Sequence, residues 1–169
     1  MRRMTDHFHI PGRATRREYS VYVMLARHRQ SGKVNLYVGK TGDNKDGCNP
    51  VISRAGNHFS FNKIHSQMRN KLPFPTEDCD FEFFYATFGP YVDPKVCRDG
   101  IDLINEMERQ LSRLAHEAFG PVVIDPYEGK TKLRRWQRDK RDALATQERL
   151  SKLRELIEAV RAHIGSQST

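Results

Sequence analysis

The sequence contains little of what secreted, membrane-bound or zinc-cluster proteins need. Its three cysteines, Cys48, Cys79 and Cys97, are odd in number and far apart, unlike a disulfide framework or a paired zinc motif. No apolar run approaches the ~20 residues that cross a bilayer, and the first residues lack the apolar core of a signal peptide. We therefore expect free thiols, no membrane partner and a cytoplasmic location.

Positive charge, by contrast, is plentiful. The chain carries 29 lysines and arginines against 21 aspartates and glutamates, a formal charge of +8. Such a field draws a protein to phosphate backbones, although a merely soluble basic protein has the same balance. Nucleic acid is the expected partner, and charge alone does not distinguish DNA from RNA.

Three segments have the composition of β-strands. Residues 19–26 and 34–39 are rich in β-branched and aromatic side chains and flank a short polar loop, which predicts a hairpin. The aromatic segment Asp80–Phe88 is too short for an independent helix and is followed by Gly89 and Pro90, so it is predicted as the third strand.

Two helices are predicted to flank this sheet. The first begins near Pro50 with Asn49 as its cap, runs past His58, with a break allowed, and has ended by Pro73. The second lies within residues 100–119, where apolar side chains recur at a spacing of three and four. Its stripe consists of Ile104, Met107, Leu111, Leu114 and Ala118.

The C-terminal tail combines a basic stretch with a second apolar stripe. The stripe predicts a long helix that ends at Gly165, and it either packs on the core or pairs with a second subunit as a homodimer. Its members are Leu150, Leu153, Ile157, Val160 and Ile164. The basic stretch includes Lys130, Lys132, Arg134, Arg135 and Arg138.

These elements predict an α+β fold with a small three-stranded, mostly antiparallel sheet, flanking helices and a long C-terminal helix. The length of 169 residues suits one core with appendages. We expect a basic N-terminal arm over residues 1–18, a compact domain over 19–126 and a basic helical extension over 127–169.

The hairpin carries two tyrosine tripeptides, Ser20-Val21-Tyr22 and Tyr37-Val38-Gly39, the second continued by Lys40-Thr41. In this order of elements they resemble the two motifs of the GIY-YIG nuclease family, over roughly residues 19–125. The chain departs from the pattern at Ser20, in the 14-residue linker between the tripeptides, and in having no asparagine after Pro121. Asp125 or Asn57 is the alternative for that asparagine.

The resemblance implies further site residues. The family places an arginine on the first helix against the attacked phosphate, which Arg54 matches, and some restriction-type members add a histidine one turn later, which His58 matches. The family also needs a glutamate on the later helix that holds one divalent ion, Mg²⁺ or Mn²⁺. Glu108 fits this role best, and Glu106, on the other side of the stripe, is the competitor.

Phosphodiester hydrolysis explains why these residue types are needed. By resemblance, Tyr22 takes the proton of the attacking water, and Tyr37 holds the network or contacts phosphate. A phenol has an ordinary pKa of about 10, so this role requires nearby positive charge, which Lys40, His58 or Arg54 would supply. The metal on Glu108 would stabilise the departing 3′ oxygen.

Two functions from different classes follow. One is a metal-dependent DNA endonuclease, acting on double-stranded DNA and gripping it with the basic stretch that includes Lys130 and Arg138. The other, favoured by the departures, is a catalytically silent nucleic-acid-binding or interaction module. For the basic stretch itself, a solvated helix is the alternative interpretation.

Overall fold

A three-stranded antiparallel sheet forms the centre of the fold. Its strands are β1 (Glu18–His28), β2 (Val34–Thr41) and β3 (Cys79–Pro90), in the order β2-β1-β3. The computed structural model describes residues 7–42, 49–125 and 132–167. It confirms the predicted α+β fold with a three-stranded sheet, helices around it and a long C-terminal helix.

The central strand explains the apolar run of the hairpin. Residues 19–26 of β1 are all buried, because helices cover both faces of the strand. Alternation along the strand sends Val21, Val23 and Leu25 to one face and Tyr22 and Met24 to the other. The candidate site lies on the second face.

Two short helices cover that second face, α1 (Val51–Asn57) and α2 (Gln67–Lys71). The predicted cap is wrong, because Pro50 and not Asn49 is the N-cap residue, with an extended ψ of 154°. The helix also ends earlier than predicted. His58 is its C-cap, and Gly56 and Asn57, both poor helix formers, precede it.

The opposite face is covered by α3 (Asp99–Phe119), which confirms the second predicted helix. Ile104, Met107 and Leu111 are fully buried against the sheet, as their spacing predicts. Beyond it the chain runs alongside β2, where Val123 forms a parallel bridge with Leu36.

The tail forms two helices, α4 (Arg135–Asp142) and α5 (Gln147–Ser166). The predicted long helix is therefore confirmed for α5, whereas the basic stretch belongs to α4 and the segment before it. In α5, Leu153, Leu156, Ile157 and Val160 are buried in the same core as α3. The stripe thus packs on its own chain, and this surface is occupied and not open to a second subunit.

The predicted boundary at residue 126 lies outside the described residues. Because α5 shares the core of the sheet, the extension is nevertheless part of the same hydrophobic unit. In the described part of the chain, no helix has the length and apolarity to cross a membrane.

Candidate active site

The site is built around the buried phenol of Tyr22 on β1. Tyr22 lies opposite Gly39 on β2, and a methyl group at position 39 would stand 2.4 Å from the tyrosine oxygen. A glycine at this position is therefore a steric requirement. On its other side, the Tyr22 ring stacks on Phe83 of β3 with centroids 4.6 Å apart. The ring is fully buried and fixed.

The Tyr22 hydroxyl meets two residues of the first helical segment. Its oxygen lies 2.8 Å from Nε2 of His58, and the guanidinium of Arg54 forms a further hydrogen bond to it. Because arginine is only a donor, the phenol oxygen accepts from Arg54, and the direction of its bond to His58 is set by the tautomer of the imidazole. The structure thus brings together three of the residues predicted from sequence.

Burial keeps this phenol protonated. Desolvation raises the pKa of Tyr22 well above its ordinary value of 10, and the Arg54 charge and hydrogen bond only partly oppose this. Arg54 therefore favours the phenolate, as one of the three candidates predicted for this role, but burial outweighs its effect on the pKa of Tyr22 in the protein alone. Loss of hydration destabilises the phenolate by more than the charge of one guanidinium stabilises it.

His58 is neutral, which corrects its predicted role as a source of positive charge. Burial, together with the charges of Arg54 and Lys71, lowers the pKa of His58 to about 4. Its other ring nitrogen, Nδ1, is a buried atom that has no hydrogen-bond partner among the described residues. A buried unsatisfied group of this kind is uncommon and suggests a functional site.

Tyr37 completes the aromatic cluster from β2. Its ring centroid lies 4.9 Å from that of His58 and 6.5 Å from that of Tyr22. Burial, followed by the negative charge of Asp125, raises the pKa of Tyr37 above its ordinary value. Asp125, one of the two alternatives for the family's asparagine, is therefore close to the site.

Lys40 and Glu108 form a largely buried ion pair at the end of the sheet, between β2 and α3. Lys40 thus neutralises Glu108, and this pairing corrects its predicted role of activating Tyr22. The negative charge of Glu108 raises the pKa of both Tyr22 and Tyr37, so the carboxylate lies within electrostatic range of both phenols.

Glu106, the competing glutamate, belongs to a different network. It is completely buried, and its carboxylate accepts hydrogen bonds from Arg109 (2.9 Å) and Gln110 (2.8 Å). This arrangement is structural, because a buried charge requires paired donors. Glu108 is therefore the glutamate with access to the tyrosines.

A single carboxylate suits only certain metal ions. Among residues 7–42, 49–125 and 132–167, no group of three or more histidines, cysteines and acidic residues is arranged to hold a metal. Magnesium, however, is commonly held by one or two carboxylates while water and substrate phosphates supply its other ligands. Glu108 is the carboxylate that could hold such an ion, and its Oε2 atom is paired with Lys40 in this structure.

The predicted nucleic-acid-binding residues lie on and before α4. Lys132, Arg134, Arg135 and Arg138 are exposed, and the indole of Trp136 beside them is 63% exposed. The ion pair between Lys140 and Asp102, with a distance of 2.7 Å, ties α4 to α3. Lys130 lies outside the described residues.

Three site residues are missing from the sequence-based set. Phe83 stacks on Tyr22, the ammonium of Lys71 lies 5.0 Å above the Tyr37 ring, and Met68 is buried in the same cluster. The alternation of aromatic residues along β3 is a signal for Phe83. Lys71 and Met68 follow a loop whose path the sequence does not reveal.

No protein-family model, no curated protein and no solved structure matches this chain, so comparison with known proteins adds nothing to the geometry of the site.

Proposed function

We propose that the chain is a metal-dependent endonuclease of the GIY-YIG type that hydrolyses phosphodiester bonds in DNA. The observation that carries the proposal is the hydroxyl of Tyr22, held 2.8 Å from a neutral His58 with Arg54 on the same oxygen. The imidazole and the guanidinium meet at the phenol oxygen. Together the three groups provide a path for a proton and a positive charge that can bind phosphate.

The proton path runs through two residues. As a water molecule attacks phosphorus, its proton passes to the Tyr22 oxygen while the phenol proton passes to Nε2 of His58, a step that requires the tautomer with the imidazole hydrogen on Nδ1. This relay avoids a free phenolate, which burial disfavours. Burial lowers the pKa of His58 to about 4, so the imidazole is unprotonated and able to accept at neutral pH, and the negative charge that develops on the phosphate would stabilise the imidazolium that forms.

The phosphate is bound by positive charge. Arg54 provides a planar fork of donors for the equatorial oxygens, and its contact with Tyr22 aligns the water with phosphorus. A divalent ion on Glu108 would stabilise the charge on the departing 3′ oxygen. Cleavage of the P–O3′ bond leaves a 5′-phosphate and, after protonation, a 3′-hydroxyl.

The exposed cations around α4 support a nucleic-acid backbone as the polymer that is bound. Each lysine or arginine that neutralises one phosphate contributes about 0.9 to the slope of log affinity against log salt. Replacing Arg135 and Arg138 with glutamine should therefore lower that slope by nearly two and leave sequence preference unchanged.

A plasmid assay with Mg²⁺ or Mn²⁺ tests the proposal. Nicks or cuts made by the parent should be lost in Tyr22→Phe and Glu108→Gln, which remove one hydroxyl and one charge. Glu155→Gln, the same change on an exposed face of α5, is the control and should retain activity. Equal cutting by Tyr22→Phe and the parent would refute the assignment. Competition with RNA of the same sequence tests the choice of polymer.

The silent nucleic-acid-binding module is favoured by two observations. Lys40 occupies the carboxylate that a metal needs, and Tyr22 is completely buried. This function predicts tight binding without cleavage under any divalent ion. A Lys40→Met variant separates the two, because an enzyme should change its metal requirement whereas a silent module should remain inactive.

A further inference from the structure

The loop between α1 and α2 exposes two large apolar side chains. Phe61 is 86% and Ile64 is 76% exposed, and all five residues from 61 to 65 are exposed. A single apolar residue on a surface needs no explanation. Phe61 and Ile64, three positions apart, instead form a small apolar patch on the loop.

The loop is held in this conformation by its own hydrogen bonds. The carbonyl of Asn62 accepts from the amides of His65 (3.2 Å) and Ser66 (3.0 Å), and its side-chain oxygen accepts from the Ile64 amide (2.9 Å). The Asn70 amide group donates to the Lys63 carbonyl at 2.8 Å. The outward presentation is therefore built into the backbone.

Phe61 has a cation fixed on one face of its ring. The guanidinium carbon of Arg69 lies 4.2 Å from the ring centroid, within the range of a cation–π contact. Arg69 is itself anchored by the Phe59 carbonyl at 2.7 Å and by the Glu77 carboxylate. The high exposure of Phe61 leaves the other face of the ring open to solvent.

This loop borders the candidate active site at both of its ends. It starts directly after His58, and it leads into α2, where Met68 packs in the Tyr22 cluster and Lys71 lies over the ring of Tyr37. Any polymer that binds across the site would therefore pass close to the loop.

We propose that Phe61 and Ile64 form a platform that stacks against an unstacked base of the nucleic acid bound in the active site, an inference that rests on the proposed function. An aromatic ring beside a positive surface is the arrangement that binds bases outside a duplex. Apolar wedges also open base steps in bent DNA. Lys63 on the loop and Arg69 on α2 favour a polyanion over an apolar protein surface.

The platform makes the enzyme selective for DNA that yields an unstacked base. A duplex with a bulged or mismatched nucleotide already contains such a base, whereas a fully paired duplex must be opened first. The bulged duplex is therefore the preferred substrate, by a margin that depends on the Phe61 ring.

Binding to duplexes that contain 2-aminopurine tests this inference, with Tyr22→Phe as background to prevent cleavage. Phe61→Leu should lower affinity for the bulged duplex by about 5- to 150-fold, the range found for base–aromatic stacking. It should also abolish the 2-aminopurine fluorescence change, and Phe61→Trp should restore both. Val96→Ala, at a side chain with 81% exposure elsewhere, should change neither.

The outcomes separate this inference from the proposed function. Binding and cutting by the parent, with Phe61→Leu unchanged, would overturn the platform alone. A parent that neither binds nor cuts DNA would refute the proposed function and the platform with it. If Phe61→Leu alters self-association in sedimentation and leaves DNA affinity unchanged, the loop is a protein interface and the platform is overturned.

Discussion

The substitution Gly39→Ala tests how the two strands of the hairpin position Tyr22. The added methyl would lie 2.4 Å from the tyrosine oxygen and 2.5 Å from Cζ, closer than side-chain carbons approach in proteins. Gly39 is not among the glycines with positive φ, so an alanine meets no backbone strain there. The effect must therefore come from displacement of the Tyr22 ring.

The magnitude follows from three contributions. Overpacking a buried site costs about 1–3 kcal/mol, and loss of the bond between Tyr22 and His58 leaves buried polar groups that cost about 1–3 kcal/mol. A strand gains about 0.5–1 kcal/mol when alanine replaces glycine. We expect a net loss of about 3 kcal/mol in the free energy of unfolding, and a fall of about 100-fold in cleavage if the ring moves by 1 Å.

Urea unfolding and plasmid cleavage measure the two effects. Gly56→Ala is the matched control, since a methyl there meets nothing within 4 Å and lies in α1, where it should stabilise the helix by about 0.5–1 kcal/mol. The double variant Gly39→Ala with Tyr22→Ala should lose less stability than the two single losses added together. A Gly39→Ala protein that is as stable and as active as the parent would refute the steric argument.

Three further predictions concern the charges at the site. Folding lowers the pKa of His58 from 6.5 to about 4, so its contribution to the free energy of unfolding should be complete above pH 6.5 and fall by up to about 3 kcal/mol as the pH drops to 4. In urea unfolding measured against pH, His58→Gln should lack this part of the pH dependence. The same pH dependence in the variant and the parent would contradict the assignment. Because the pKa values of Tyr22 and Tyr37 are raised, both phenols should stay protonated above pH 10 while the protein is folded. In an alkaline absorbance titration, Tyr22→Phe should therefore show fewer tyrosines that ionise above pH 10 than the parent. Glu106→Ala should cost about 1–3 kcal/mol, because it removes the buried acceptor of Gln110 and one of the two carboxylates that pair with Arg109, which keeps Asp142. Glu108→Gln should keep the fold and lose cleavage, and a Glu106→Ala protein as stable as the parent would contradict the structural role of Glu106.

Local sequence patterns were sufficient for the elements of the fold. β-Branched and aromatic runs predicted all three strands, and the three-four spacing of Ile104, Met107 and Leu111 predicted α3 and its buried face. These patterns succeed because alternation and helical periodicity are local properties of the chain. The end of α1 at Asn57 was not predicted, although Gly56 and Asn57, both poor helix formers, are a local signal for it.

The sequence by itself determined which residue types are present and in which order: two tyrosines on paired strands, then an arginine and a histidine, then a glutamate. Only the tertiary structure decided their protonation and partners. It buried Tyr22 and made His58 neutral, since a pKa depends on how much water and charge surround the group in three dimensions. It also paired Lys40 with Glu108 across 68 residues and assigned Glu106 to the interior. No local pattern carries that information, because one helical turn places both glutamates beside the same apolar stripe.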